Sequence, residues 1–204
     1  SSPQDFLAAV YGDVDYPTKI QGGDNFFNSE IGAFTNEAYN SILFPWFPDL
    51  EFDSFITIGM TAPAVSNNDE ESINAVSDPL ANWITEFEPG GGGTGSDIII
   101  DTQTGGSWFP LFPNSNAFAG EDSLVLIGQF TTDISLSGEV SLAVFLDGIQ
   151  SIDTIVTIPI PGLSLEGCTD SSAENYCSCA EEDDGSCEYV DGCTDELACN
   201  YTEG

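Results

Sequence analysis

The chain has 204 residues, of which 41% are hydrophobic, so it can bury the core of one medium-sized domain and still carry a smaller module. Its 35 acidic residues face a single basic residue, Lys19, and histidine is absent, which leaves a formal net charge of −34. This balance excludes nucleic acids and anionic membrane surfaces as partners, because lysine and arginine bind both.

Six short segments rich in β-branched and aromatic residues predict strands in the first 163 residues. They are bounded by Gly, Pro, Asn or Asp and lie at 4–12, 51–60, 96–101, 123–132, 139–148 and 153–160. Alternation in the second segment predicts a drier face formed by Phe52, Ser54, Ile56 and Ile58. In the fifth segment it places together Val140, Leu142, Val144 and Leu146. Strands without helical crossovers predict an all-β fold, specifically an antiparallel β-sandwich over residues 1–163.

Helix is predicted to be a minor component, limited to short helices or 3₁₀ turns at 34–44 and 78–87. Two proline-rich aromatic clusters, at 43–50 and 108–113, are expected to cover the ends or edges of the sheets. They carry Trp46 and Trp108, which with Trp83 could either stack on sugar rings or fill the core. No run of 18 apolar residues occurs, so no membrane span is expected.

Paired carboxylates are the remaining candidates for chemistry in this region. Glu51 and Asp53 share a strand face, and Asp13 and Asp15 have the same spacing. A glycosidase needs such a pair across a cleft, with one pKa raised by burial, but solvated residues are the favoured interpretation. Asp13 and Asp15 could also form a calcium turn, and "GGTGSDIII" at 92–100 is favoured as a glycine loop entering a strand over a calcium-binding β-roll.

All six cysteines fall at the C-terminal end of the chain, which predicts a second module at 164–204 that is small, loop-dominated and disulfide-rich. They are Cys168, Cys177, Cys179, Cys187, Cys193 and Cys199. An internal repeat with a period of 25 residues superposes "GCTDSSAENY" at 167–176 on "GCTDELACNY" at 192–201. The first repeat spans 167–191 and the second, incomplete repeat spans 192–204. Disulfides are favoured over thiolate zinc because no CxxC pair is present.

The pattern G-C-T-D-x-x-A-x-N-Y followed by D-D-G-S-C resembles cysteine- and aspartate-rich repeats of large secreted proteins of aquatic bacteria, notably Bacteroidetes, and of some algae. In those proteins the repeats often follow β-sandwich domains, and "DFLAAVYGD", "FDSFITIG", "GSWF" and "GQFTT" resemble such a domain more loosely. The resemblance implies an extracellular location and a disulfide between Cys168 and Cys187, which bracket the first repeat. Glu174 stands where the family often has a cysteine, and the partners of Cys177 and Cys179 stay open.

Calcium is the predicted ligand of the repeats, because it takes six to eight oxygen ligands. The candidate ligands recur at fixed motif positions and are Asp170, Asn175, Asp183 and Asp184, with Asp195 and Asn200 in the second repeat. Gly185 permits a tight turn between them. The alternative is a solvated acidic loop held only by disulfides. Asn200 also opens "NYT", an acceptor for N-glycosylation.

The absence of histidine removes the commonest general base and zinc ligand, so we expect no enzymatic activity. The start without methionine and the truncated repeat suggest an excerpt of a secreted precursor. The predicted function is a structural subunit of an extracellular fibre or cell-surface assembly, with other copies of itself as partners. The alternative is a carbohydrate-binding or adhesion domain whose partners are glycans. A carboxylate glycosidase is the third hypothesis.

Overall fold

A computed structural model describes residues 2–160, 166–176, 180 and 182–189. The chain divides into two compact units, Ser1–Gly162 and Leu163–Gly204. This division lies one residue from the boundary predicted at 163/164. The first unit is all-β, with mostly antiparallel strands and little helix.

Eleven of the described strands lie in the first unit, where glycines, prolines and asparagines keep most of them short. They are β1 Phe6–Gly12, β2 Thr18–Gln21, β3 Phe26–Asn28, β4 Phe55–Ile56, β5 Asn74–Val76, β6 Gly93–Gly95, β7 Ile98–Ile100, β8 Gly106–Phe109, β9 Gly128–Gln129, β10 Ser137–Phe145 and β11 Asp153–Ile160. The helical elements are the short helix α1 Trp83–Phe87 and the 3₁₀ helices Asn36–Ala38, Pro48–Phe52, Ser66–Asn68 and Leu146–Gly148.

The largest sheet has seven strands and is organised around β10. Its hydrogen-bonded path runs β5-β8-β1-β10-β2-β7, and β11 also pairs with β10. Along one edge, β10 pairs with β1 over Ser141–Phe145 and with β2 over Ser137–Glu139. Along its other edge, β10 pairs with β11 from Gly138 to Phe145. β1 and β2 therefore act as one interrupted strand. The Thr18 hydroxyl bridges the interruption by donating to the Tyr11 carbonyl at 2.6 Å and accepting from the Ser141 N–H at 2.8 Å.

The hydrophobic core of the first unit joins the large sheet to two small sheets, β3–β6 and β4–β9. Its largest fully buried side chains include two tryptophans and four phenylalanines, which are Trp83, Trp108, Phe6, Phe26, Phe55 and Phe87. Trp108 Nε1 donates to the Thr57 carbonyl at 3.2 Å, so the indole ties β8 to the segment after β4. Burial of these rings supplies most of the driving force for folding, since each removes a large apolar area from water.

Four of the six predicted strand segments contain the strands β1, β7, β10 and β11. The segments 51–60 and 123–132 contain only the two-residue strands β4 and β9. The predicted drier face at 51–60 is wrong. Phe52 is exposed, whereas Asp53, Phe55 and Thr57 on the opposite face are buried together with Ser54, Ile56 and Ile58. Both faces are covered because this stretch crosses the core between two sheets.

The second unit is held by a disulfide between Cys168 and Cys187, the pair that the resemblance implied. Two short parallel strands, β12 Glu166–Gly167 and β13 Glu182–Asp183, pair beside it. Cys168 and Ala173 are buried, and most other described residues of the unit are exposed. With so few buried residues, the second unit depends on the disulfide more than on a hydrophobic core.

Within the described ranges, no helix has both the length and the apolar character needed to cross a membrane.

Candidate functional site

The edge of the large sheet that β11 forms is the most unusual surface of the first unit. β11 pairs only with β10, and no described strand lies along its outer edge. Ile155, Val156 and Ile158 are exposed, the last two at 45% and 48%. After Asp153 the strand carries no charge through Ile160. Because an edge strand presents unpaired backbone N–H and C=O groups, an uncharged edge of seven residues, 154–160, is prone to pair with another strand.

An open apolar groove of about 490 Å³ lies under this edge. Its floor and walls come from four parts of the chain and include Leu7, Leu124, Ile127, Leu142, Val144 and Val156. Because side chains alternate along β10 and β11, Leu142, Val144, Val156 and Ile158 all face the groove. The sequence predicted that Leu142 and Val144 share a face. The exception is Val140, which lies in the closed core instead.

Asp5 is the one acidic residue that lines the groove. Its carboxylate accepts the Asp147 N–H at 2.9 Å and the Ser2 N–H at 2.6 Å. The hydrogen bond from Asp147 is the main reason that the pKa of Asp5 is lowered, followed by the one from Ser2. Because the carboxylate oxygens of Asp5 are bonded to backbone N–H groups, the surface of the groove is mostly apolar.

A second open cleft, of about 430 Å³, lies beside the aromatic cluster at 43–50. It has both apolar and polar walls, formed by Trp46, Phe47, Asn28, Glu30, Asp49 and the glycines 91–93. Trp46 is 69% exposed, so one face of its indole is open to solvent. An exposed aromatic ring beside carboxylates and amides is the usual chemistry of a sugar-binding surface.

The other two tryptophans considered for sugar binding are core residues. Trp83 and Trp108 are buried and lie with ring centroids 5.6 Å apart. The Trp83 indole N–H donates to the Val76 carbonyl at 3.2 Å. The expectation that the cluster at 108–113 covers an edge is therefore wrong for Trp108, because β8 is an inner strand between β5 and β1.

The acidic pairs do not form a catalytic arrangement. Asp13 accepts the N–H groups of Asp15 and Tyr16, each at 2.8 Å, and the Tyr11 hydroxyl. That hydroxyl contact is the main cause of a raised Tyr11 pKa, to about 12, and of a lowered Asp13 pKa. Asp13 thus organises a turn. Glu51 is exposed while Asp53 is buried, so the two carboxylates do not face one cleft.

The described calcium candidates of the first repeat are exposed and take part in local hydrogen bonds. Asp170 accepts from Ser172 and from the Tyr189 hydroxyl, and Asn175 donates to the Ser186 carbonyl. Asp183 and Asp184 accept the N–H groups of Gly185 and Ser186. These contacts shape the turn, and calcium binding there stays a prediction. Among the described residues, no group of three or more His, Cys, Asp or Glu side chains is arranged to hold a metal ion.

Several predicted site residues lie outside the described residues. They are Cys177, Cys179, Cys193, Cys199, Asp195 and the glycosylation candidate Asn200.

Comparison with protein families, with curated proteins and with solved structures finds no match for this chain. Function must therefore be argued from its own surfaces. Sequence reasoning missed the groove because Leu7, Leu124 and Leu142 are far apart in the chain. The uncharged run 154–160 gave no signal by itself, because longer uncharged runs occur at 54–68 and 102–120.

Proposed function

We propose that the chain is a non-enzymatic structural protein of an extracellular assembly, in which copies of a β-sandwich associate through the outer edge of β11. The observation that carries the proposal is an exposed, uncharged edge strand above an apolar groove. Strand addition at such an edge supplies backbone hydrogen bonds, and the groove supplies apolar contacts for alternate side chains. Native proteins normally protect edges of this kind with charges or prolines, and β11 carries these only near its two ends, as Asp153 and Pro159.

A second copy of the chain is the partner that the charge distribution favours. Two molecules of net charge −34 repel each other over most of their surfaces. Residues 154–160 are free of charge, so two β11 strands can pair antiparallel without placing carboxylates opposite each other. At this edge two copies can therefore approach with little direct repulsion between carboxylates. Symmetric pairing of identical patches is also the commonest way in which soluble proteins form dimers.

The second unit is proposed to brace the assembly as a disulfide-rich extracellular module. The disulfide between Cys168 and Cys187 supports this role, because disulfides persist in oxidising environments. We propose that the remaining cysteines also form disulfides and that the first repeat binds Ca²⁺ through Asp170, Asp183 and Asp184. Salt and calcium both reduce the self-repulsion of the carboxylates.

Sedimentation of the full chain tests the proposal. We expect association at micromolar concentration in sea-like salt, and we expect Val156→Glu/Ile158→Glu to abolish it. The matched control is Ile42→Glu/Leu80→Glu, which adds the same charge at two more exposed apolar positions away from β11. A wild type that stays monomeric throughout, or equal loss of association in both double variants, would overturn the proposal.

Carbohydrate binding is a second candidate function, favoured by the exposed indole of Trp46 in its cleft. A glycan-array screen with and without a chelator tests it. Sugar-selective binding lost in Trp46→Ala and kept in Tyr16→Ala, an exposed aromatic outside the cleft, would support it. Equal signals in wild type and Trp46→Ala would remove this candidate.

A further inference from the structure

Three oxygen-bearing side chains of the first unit belong to the region where β3, α1 and the segment before β4 come together; Asn28 and Asp53 are buried and Glu88 is half-buried. They are Asn28 at the end of β3, Glu88 directly after α1, and Asp53 two residues before β4. Two of their oxygens, Asn28 Oδ1 and Glu88 Oε2, are fully buried and have no hydrogen-bond partner. Buried polar atoms are normally paired, so two orphans in one region indicate a missing ligand.

The Asn28 amide is held in one orientation. It is 1% exposed, and its Nδ2 donates to the Phe87 carbonyl at 2.9 Å and to the Phe26 carbonyl at 3.3 Å. Gly95 permits this approach, because a Cβ there would lie 1.7 Å from the Phe87 oxygen. Since both N–H groups are committed to carbonyls, Oδ1 is left as a buried acceptor that needs a proton donor or a cation.

Asp53 lies against the residues that follow Asn28. It is 1% exposed, and its carboxylate accepts the Ser29 N–H at 2.8 Å and the Ala33 N–H at 3.3 Å. Gly32 lets the turn close over the carboxylate, because a Cβ there would lie 2.2 Å from Oδ2. Burial raises the pKa of Asp53 to about 6 despite these two hydrogen bonds.

Glu88 completes the group from the side of α1. It follows Phe87, whose carbonyl accepts the Asn28 amide, so the Asn28–Ser29 pair contacts both the chain beside Glu88 and the side chain of Asp53. Burial raises the pKa of Glu88, and the charge of Asp53 raises it further. The Asp53 carboxylate is therefore close enough to Glu88 to disfavour the ionised form of Glu88.

The chain offers no side chain that could neutralise this pair. It has no arginine or histidine, and its one lysine, Lys19, pairs with Asp101 at 3.0 Å. A cation from solution would neutralise the buried Asp53 carboxylate and the buried oxygen of Glu88, which no basic side chain of this sequence contacts.

We propose that Asn28 Oδ1, the Asp53 carboxylate and Glu88 Oε2 form a buried Ca²⁺ site in the first unit. The donor set is all oxygen, with two carboxylates and one amide, which is the chemistry that Ca²⁺ selects. Waters complete the coordination, because the Trp46 cleft reaches Asn28 and Ser29. Glu30 and Asp49 line the same cleft and draw cations toward it. The site is separate from the repeat in the second unit and does not depend on the proposed assembly.

Titration of the metal-stripped full chain with CaCl₂, followed by the amide resonances of Ser29 and Ala33 and the side-chain amide of Asn28, tests the proposal. We expect a saturable shift at these amides that is much weaker with MgCl₂. Glu88→Gln removes one charged ligand and is expected to weaken the apparent Kd at these amides at least about tenfold. The matched control, Glu86→Gln, changes an exposed acid of α1 and is expected to keep the wild-type Kd within about twofold.

The same spectra show whether each variant is folded. Should Glu88→Gln not fold, Glu88→Asp keeps the charge but draws the carboxylate back by one methylene group, and it is expected to weaken the apparent Kd at least about threefold. Shifts confined to residues 166–189, or amides of Ser29 and Ala33 that respond to pH but not to CaCl₂, would overturn the proposal. The second result would mean that a proton occupies the site. An unchanged Kd in folded Glu88→Gln would overturn it as well.

Discussion

The hydroxyl groups of Ser141 and Thr157 lie 2.9 Å apart and join β10 to β11 in the middle of their ladder. Ser141 is buried and also contacts the Pro17 carbonyl, at 2.9 Å, whereas Thr157 is exposed. The ladder continues on both sides, from Gly138 opposite Ile160 to Phe145 opposite Asp153. β11 is therefore firmly held on its inner edge, so its outer edge is preorganised for a further strand.

Salt should promote association of the chain. Each copy carries a net charge of −34, and the Debye length falls from about 30 Å at 0.01 M to about 10 Å at 0.1 M salt. We expect the weight-average mass in sedimentation equilibrium to rise as NaCl is raised over this range. Association that weakens with salt would mean that opposite charges hold the copies together, which contradicts pairing through an uncharged edge.

Two tryptophans should differ sharply in their effect on stability. Trp108→Ala removes a fully buried ring and its hydrogen bond to Thr57, and we expect a loss of about 3–5 kcal/mol in the free energy of unfolding. Trp46→Ala changes a side chain that is 69% exposed and should alter stability by no more than about 0.5 kcal/mol. Chemical denaturation checks both variants. Equal losses would place Trp46 in the core and remove the sugar-binding candidate.

With EDTA present to remove bound cations, the pH dependence of the free energy of unfolding should show the protonation of Asp53. Its pKa is raised from 3.8 to about 6, so the folded state holds this proton more tightly than the unfolded chain does. The free energy of unfolding should consequently fall as the pH rises from about 5 to about 7, with Asp53 contributing about 1–3 kcal/mol. Glu88, whose pKa is also raised, adds to the same fall, whereas Asp5 and Asp13, whose pKa values are lowered, stay ionised in this window and add no slope.

Urea denaturation at several pH values between about 5 and 8 measures this slope. Asp53→Asn should flatten it, and Asp49→Asn, a change at an exposed acid of the preceding 3₁₀ helix, should leave it intact. Saturating CaCl₂ should also flatten it, because a bound cation favours the ionised carboxylate. A wild-type stability that rises with pH in EDTA would contradict the raised pKa.

The disulfide between Cys168 and Cys187 should stabilise the second unit alone. It closes a loop with a sequence separation of 19, for which chain entropy gives about 3 kcal/mol. We expect Cys168→Ala/Cys187→Ala to expose the amides of 166–176 and 182–189 to rapid hydrogen exchange while β1 and β10 stay protected. Loss of protection in β10 as well would show that the two units unfold together.

The strands that could be predicted from sequence are those whose composition and periodicity act locally. β10 alternates Val140, Leu142 and Val144 with small or polar residues, β11 is rich in β-branched residues, and their pairing follows from the short connection between them. β4 is only two residues long because the 3₁₀ helix Pro48–Phe52 and the buried Asp53 occupy the positions before it. Trp108 lies near prolines that suggested an edge, but its register between β5 and β1 places it in the core.

The candidate sites could not be predicted because they depend on residues that are distant in the chain. Asn28, Asp53 and Glu88 follow no motif, and only the fold brings them together. Likewise, the groove under β11 depends on Leu7 and Leu124 as well as on β10. The acids of the repeat, in contrast, could be chosen as candidate ligands from local sequence alone. Those that the structure describes lie in exposed turns, and calcium binding there stays a prediction.

The most direct test of assembly through β11 is hydrogen–deuterium exchange of the full chain at increasing protein concentration. If copies pair at this edge, the amides of 154–158 become protected as concentration rises, while those of the exposed segment 42–47 do not change. The account predicts this localised protection together with an increase in mass. Mass that increases while exchange in β11 is independent of concentration would contradict it, because another surface would then join the copies.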